Sequence, residues 1–286
     1  MAEIKRITIP YLYELKKKGE PISWLTGYDY PIGMLEDQAG IEMILVGDSS
    51  SMVVYGTQTT LPITMDTMIG HCQAVRRGAP NAFVVGDMPF LSYQVSVEEA
   101  IRNAGRFMKE GDCDAIKLEG GVRVADKVRG IVDAGIPVIG HIGVTPQSTS
   151  MLGGYKAQGK DVDTALALIE DAQTLEKAGV FAILLESVPA KVSAIIREQT
   201  SVLIFGIGAG PHVDGQLLII HDILGLYQLF TPKFVKKYAN LTAIISEALG
   251  KYRSDVKGRQ FPQPEHTFSI PSAELKKVEE HLALKK

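Results

Sequence analysis

The letters Val-Gly-Asp occur twice, at 46–48 and 85–87, and each copy ends an apolar run, IEMILVGD and AFVVGD. A packed strand has no use for a carboxylate, so Asp48 and Asp87 stand where a ligand would be held. Equivalent ends of adjacent parallel strands lie roughly 5 Å apart. Two bare carboxylates that close repel, and a divalent cation removes the conflict. All-oxygen ligation by few protein carboxylates suits Mg2+, which keeps waters or takes substrate oxygens at its other positions. Glu119, at the end of CDAIKLEG, adds a third ligand directly or through a water. The competing reading has each aspartate cap the following helix or pair with a basic residue at a rim. It suffices for either acid alone; the pair together with Glu119 favours the metal.

Other polar residues end apolar runs in the same way: Asp29, Ser49, Lys117, His141 and Glu186. Lys117 stands two residues before Glu119, so both project to one side of a strand. Such a lysine binds a substrate carboxylate or forms a Schiff base, or else it makes a salt bridge with Glu119. Glu186 follows five apolar residues in FAILLES; a carboxylate so placed has a raised pKa and suits a general base, unless Lys191 pairs with it. His141 alone reads as a hydrogen-bonded structural histidine. GIGAGP, from Gly206, fits either a phosphate cradle or close backbone packing. His71, His212, His221, His266 and His281 lack paired ligand spacing and read as surface or structural.

The elements that must position these residues repeat along the chain. Short runs rich in β-branched residues begin at Ile22, Ile41, Ala82, Cys113, Ile136, Val180, Ser201 and, least distinctly, Gln216. Helical patterns lie between them. One opens at Pro62, with Thr64 and Asp66 in its first turn, and closes on Gly78; another opens at Ser96 and ends at Gly111; a third runs from Asp161 to Gly179. Near-continuous apolar strands are buried on both faces, as in parallel sheets. Eight such units predict an α/β fold, a (β/α)8 TIM barrel with its ligand site at the carboxyl ends of the strands. No linker interrupts residues 20–230, so residues 1–286 read as a single barrel domain, with 234–286 as a C-terminal extension. In that extension a helix precedes the polar stretch RSDVKGRQFPQPEHTF and a charged helical end at 272–286.

The formal charge of -3, with both signs mixed, leaves no basic footprint for nucleic acid. The two cysteines, Cys72 and Cys113, have neither disulfide-framework nor zinc-ligand spacing and read as core thiols. The charged amino terminus lacks a signal-peptide core, and no apolar run approaches the roughly 20 residues of a membrane span. The expected setting is cytoplasmic, with a small polar substrate and no membrane partner.

The segments VGDSSSMVVYGTQTTLPIT, HCQAVRRGAPNAFVVGDMPF, AIKLEGG, PVIGHIGVTPQS, GGYKAQGKD, LLESVPAKV and IGIGAGPHVDGQLLIIHDILGL, in order from about Ile7 to about His266, resemble the ketopantoate hydroxymethyltransferase family. The resemblance implies a phosphoenolpyruvate/pyruvate-type barrel enzyme of pantothenate and coenzyme A synthesis, assembled as a large homo-oligomer, a decamer. It implies transfer of a hydroxymethyl group from 5,10-methylenetetrahydrofolate to 3-methyl-2-oxobutanoate through a Mg-chelated enolate, giving 2-dehydropantoate and tetrahydrofolate. By motif match, Asp48 and Asp87 fall on the metal ligands, Glu119 on a water-linked or outer ligand and Glu186 on the proton acceptor. Ser49 and Lys117, with Asp48 and Asp87, fall on ketoacid-contacting positions, and His141 on a site histidine. No residue is assigned to the folate. The family usually has Asp-Ser-Leu-Gly where Asp48-Ser49-Ser50-Ser51 stands, and an acid where Gln58 stands, which puts the loop path in question.

Two other readings compete. A lyase or mutase of the phosphoenolpyruvate mutase and isocitrate lyase type also uses a 2-oxoacid, but neither cysteine is placed for its mobile loop. A catalytically silent barrel would have lost the acids, which are all present.

Overall fold

The computed structural model describes residues 6–284 apart from 153 and 155, so Gly153 and Tyr155 of the GGYKAQGKD segment lie outside the described residues. All the expected strands form: β1 (Ile22–Thr26), β2 (Met43–Val46), β3 (Phe83–Asp87), β4 (Ala115–Glu119), β5 (Val138–Gly143), β6 (Ala182–Glu186), β7 (Leu203–Ile207) and β8 (Gly215–Leu218). Each pairs in parallel with the next, and β8 pairs with β1, closing the barrel. The helices are α1 (Ile9–Lys18), α2 (Tyr30–Ala39), α3 (Ser50–Val53), α4 (Met65–Gly78), α5 (Val97–Lys109), α6 (Ala125–Asp133), α7 (Thr149–Leu152), α8 (Val162–Ala178), α9 (Ala190–Gln199), α10 (Ile220–Ile223), α11 (Leu241–Lys257) and α12 (Ser272–Ala283).

The polar residues that open the helical patterns act as caps. Thr64, Ser96 and Asp161 accept hydrogen bonds from the backbone N–H groups of Thr67, Glu99 and Thr164, fixing the starts of α4, α5 and α8. Gly179 takes the left-handed conformation, φ 101°, that ends α8.

Strand alternation sorts each apolar run into two faces. Ile44, Val46, Val84, Ile116, Leu118, Ile183 and Leu185 pack outward against the helices. Leu45, Val85, Ala115, Ile139 and Leu184 fill the lumen. Continuing the lumen face by two residues reaches Asp87 on β3, Lys117 on β4, His141 on β5 and Glu186 on β6, and two more reach Glu119 at the end of β4. The polar groups therefore form the top layer of the barrel's own packing, above its apolar filling.

Helix α1, within the stretch read only as a charged amino terminus, closes the opposite end. Leu12 and Leu15 join the lumen cluster, Tyr13 donates a hydrogen bond to the Phe181 carbonyl at 2.8 Å, and Lys16 Nζ lies 3.2 Å from Asp214 Oδ2. Phe181 and Asp214 immediately precede β6 and β8, so the plug sits at the amino-terminal mouth and leaves the carboxyl-terminal mouth open.

A first compact unit extends through Tyr238 and a second begins at Ala239. The second consists of α11, a turn and α12, with no buried side chain in either helix. The sequence reading ended its helix before RSDVK, whereas α11 continues through those residues to Lys257. No helix among the described residues is long and apolar enough to cross a membrane.

One buried acid lies outside the lumen. Glu36 on α2 is 4% exposed, neither carboxyl oxygen has a hydrogen-bond partner, and a Cβ on Gly27 would lie 2.7 Å from Oε2. Burial, with a smaller push from Asp29, raises its pKa to about 8. The folded protein therefore keeps a proton that the unfolded chain releases near 4.5. This stability is fully present below that pH and is lost as pH rises toward 8. The Glu36→Gln variant is expected to match the parent near pH 4 and to exceed it by about 1–3 kcal/mol at pH 8. Urea midpoints at the two pH values check this; an equal difference at both would contradict it.

Candidate active site

Asp48, Ser49, Asp87, Lys117, Glu119, His141 and Glu186 line one cavity of about 790 Å³ at the carboxyl-terminal mouth. They form an arc over five consecutive strands or the loops just after them. Asp29 is not among them: it is exposed and caps α2, accepting from the Ile32 N–H at 2.8 Å. None of His71, His212, His221, His266 and His281 lines the cavity.

The two aspartates are tied together. The backbone N–H of Asp48 donates to Asp87 Oδ2 at 3.0 Å, while Lys117 Nζ lies 2.8 Å from Asp87 Oδ1 and 4.0 Å from Glu119 Oε1. The nearest carboxylate to Lys117 is thus Asp87 rather than Glu119. Lys117 Nζ is also 3.3 Å from His141 Nδ1. An ammonium only donates, so Nδ1 accepts and the ring proton resides on Nε2. That nitrogen stands 3.3 Å from Glu186 Oε2. Glu186 therefore pairs with His141 and not with Lys191. Its side chain is 16% exposed against 2–3% for Asp87, Lys117, Glu119 and His141, so it faces the open cavity.

Burial and neighbouring charge set the proton affinities. Desolvation raises Asp48 to about 6 and Asp87 and Glu119 to about 7, with Lys117 holding each of them down. Desolvation works against charge on Lys117, but Asp87, Glu119 and Asp48 outweigh it and hold its pKa above the ordinary lysine range. The amine stays protonated, which removes the Schiff-base reading, since imine formation needs the free amine. Burial and then Lys117 lower His141, keeping the ring neutral. Burial raises Glu186, opposed by its contact with His141.

Asp87 Oδ1, Glu119 Oε1 and His141 Nε2 are buried without a hydrogen-bond partner of good geometry. Three buried carboxylates against one ammonium leave an excess of negative charge. Among the described residues no three or more acidic, histidine and cysteine groups form a ready metal cage. Mg2+ does not require one: one or two carboxylates, completed by waters and substrate oxygens, suffice. Asp48 and Asp87, with Glu119 Oε1 buried and without a hydrogen bond beside them, fit that demand.

The family model described as ketopantoate hydroxymethyltransferase matches residues 6–264. The chain belongs to that family. The 3-methyl-2-oxobutanoate hydroxymethyltransferase of Alkaliphilus metalliredigens is 55% identical over 93% of this chain and 94% of its own length. The protein of the same name from Syntrophobacter fumaroxidans is 55% identical over 96% of each. Among solved structures, a phosphonopyruvate hydrolase in complex with oxalate and Mg2+ has a TM-score of 0.61 at 14% identity, covering 98% of each chain. A 2,3-dimethylmalate lyase of the PEP mutase/isocitrate lyase superfamily has a TM-score of 0.55 at 13% identity, covering 97% of each. Those two likenesses establish the barrel fold alone.

As a hydroxymethyltransferase of this family, the chain accommodates its departures locally. Ser50 and Ser51 lie in the single turn of α3, where no left-handed backbone is required. Ser50 Oγ donates to the Gly47 carbonyl at 2.8 Å, and Ser51 Oγ is 2.7 Å from Thr57 Oγ1. Hydroxyl bonds thus fix the loop path where the family usually has Leu-Gly. Gln58 is exposed and outside the cavity lining. Ser49 Oγ is 2.9 Å from the Tyr28 hydroxyl. Both cysteines are buried away from the cavity. The glycine run after β7 is close-packed: a Cβ on Gly208 would meet the Phe234 ring at 2.5 Å, and one on Gly210 would meet Ala190 Cβ at 2.3 Å.

Sequence reasoning missed Gln147. Its Nε2 donates to Asp48 Oδ2 and to the Met88 carbonyl, each at 2.9 Å, and its Oε1 accepts from the Tyr93 hydroxyl at 2.9 Å. Its backbone N–H donates to Glu119 Oε2 at 2.9 Å. One residue therefore orients acids at the ends of two strands, yet an uncharged side chain beyond its strand gave no charge signal. The only cue was its place in VTPQS after β5. Gln147→Leu is expected to raise about 10–100-fold the Mg2+ concentration that gives half-maximal thermal stabilisation. An unchanged concentration would contradict a positioning role.

Proposed function

We propose that this chain transfers a hydroxymethyl group from 5,10-methylenetetrahydrofolate to 3-methyl-2-oxobutanoate, giving 2-dehydropantoate and tetrahydrofolate, with Mg2+ held by Asp48 and Asp87 and Glu119 in an outer or water-linked place. The observation that carries this reading is the arc itself. Paired aspartates, a protonated lysine and a carboxylate of raised proton affinity open onto one cavity in strand order β2 to β6.

When bound there, Mg2+ would hold the keto and carboxylate oxygens of a 2-oxoacid and draw off charge developing on the keto oxygen. The chain's own groups do the rest. Lys117 neutralises the substrate carboxylate, exchanging its Asp87 partner for the ligand. Ser49, held toward the site by Tyr28, hydrogen-bonds beside the ketoacid. Glu186 removes the C3 proton, and burial, which raises its proton affinity, suits it to that role. The His141 Nε2–H faces Glu186 and positions it while it carries charge. The carbanion at C3 then attacks the methylene carbon of the folate iminium, forming the new carbon–carbon bond. Water then displaces the folate N5 from that carbon and its oxygen becomes the hydroxyl; the departing N5 takes up the proton held by Glu186 and leaves as tetrahydrofolate, while the second proton of the water passes to solvent.

The same reading places the protein in the cytoplasm as a homo-oligomer. Apolar side chains left exposed on α11, including Ile244, Leu249 and Tyr252, support assembly.

Two measurements test the reading. With 3-methyl-2-oxobutanoate, methylenetetrahydrofolate and Mg2+, the protein is expected to form 2-dehydropantoate, and a chelator is expected to abolish it. Glu186→Gln is expected to slow exchange of the C3 proton with solvent deuterium by about 100-fold or more while ketoacid and Mg2+ still bind. Undiminished exchange in that variant would refute the base assignment.

A further inference from the structure

The cavity is far larger than a five-carbon oxoacid, and its remaining volume is built from different materials. Beyond the carboxylate arc its wall is largely apolar or aromatic, with Tyr227 and Phe234 contributed by the chain after β8. The close-packed glycine already described serves this wall. Gly208, at φ 68°, leaves the space that the Phe234 ring occupies against the cavity.

Within this apolar half lies one acid that the chemistry above does not use. Asp222, on α10, is 4% exposed and lines the cavity. The charged neighbour acting on its carboxylate is Lys237. A carboxylate facing a cavity of this kind gains from a ligand that brings hydrogen-bond donors to it. Burial raises its pKa to about 6, Lys237 opposing, so it is ionised at neutral pH. Its place is fixed: α10 follows β8 directly, and the Ile220 N–H donates to Thr26 Oγ1 at the end of β1 at 3.1 Å. Asp222 therefore stands on the β8–β1 side of the mouth, one strand from the Asp48 loop, outside the arc from β2 to β6.

We infer that Asp222 recognises the 2-amino and N3–H edge of the pterin ring of the folate co-substrate, with Tyr227 and Phe234 flanking the ring's faces. A planar heterocycle with two parallel N–H donors on one edge matches a carboxylate in the bidentate geometry that gives the strongest hydrogen bonds. Its flat faces match an aromatic wall. Placing the pterin on the β8–β1 side leaves the neighbouring arc from β2 to β6 to the oxoacid, so both substrates enter one chamber from adjoining sides. This inference rests on the reaction proposed above and adds the residue that selects the one-carbon donor.

The test uses tetrahydrofolate and its 2-desamino analogue as ligands of the intact protein. The parent is expected to bind tetrahydrofolate about tenfold or more tightly than the analogue, because the analogue leaves the carboxylate with one donor fewer. In Asp222→Asn, confirmed folded by its thermal transition, that ratio is expected to fall toward one. Equal binding of the two ligands by the parent would overturn the inference even if the variant failed to fold, and so would a ratio unchanged in the variant. Deuterium exchange at C3 by the parent, which needs no folate, is measured alongside. Exchange with no discrimination refutes the pterin assignment alone, whereas absence of exchange refutes the reaction on which it rests.

Discussion

Three carboxylates sharing one ammonium at the top of a closed barrel set the terms for everything else in this protein. Asp48, Asp87 and Glu119 are at most 4% exposed, and Lys117 is the cation among them. Lys117 cannot satisfy all three, and its own charge is kept only because they surround it. Desolvation raises each acid toward neutrality, so the cluster is poised between holding protons and holding a dication. A ligand that brings both positive charge and a carboxylate of its own relieves the strain twice, once at the acids and once at the lysine.

The barrel supplies this arrangement by simple periodicity. Lumen positions that are apolar lower in each strand become polar two residues later, on β3, β4, β5 and β6 alike. The hydrophobic core and the active layer are thus one structure, and the α1 plug directs ligands to the other mouth. Gln147 and Tyr93 then bind the acids to one another, so the catalytic arc is held by hydrogen bonds as well as by strand register.

Much of this was legible in the sequence. The strands, the capped helices and the acids at strand ends follow from period-two apolar runs, cap residues and the cost of placing a charge after such a run. Lys117, Glu119 and Glu186 were visible for the same reason. Residues that act through neutral hydrogen bonds were not: Gln147 and Tyr93 carry no pattern, and their partners are distant in the chain. The partner of Glu186 was left open because Lys191 is near in sequence while His141 is near only in space. Asp222 was hidden in an apolar segment, QLLIIHD, that reads as a strand to its end, whereas β8 stops at Leu218. GIGAGP was ambiguous until Phe234 and Ala190 were seen to fill the space its glycines leave.

The central claim, that a hard dication belongs between Asp48 and Asp87, is tested most directly by diffraction. Crystals would be grown with 3-methyl-2-oxobutanoate and with Mn2+ in place of Mg2+, and the metal located by its anomalous signal. The account predicts one strong peak between those two carboxylates, with the Lys117 ammonium moved from Asp87 to the ketoacid. No peak there at saturating Mn2+, with Lys117 still seated on Asp87, would contradict it.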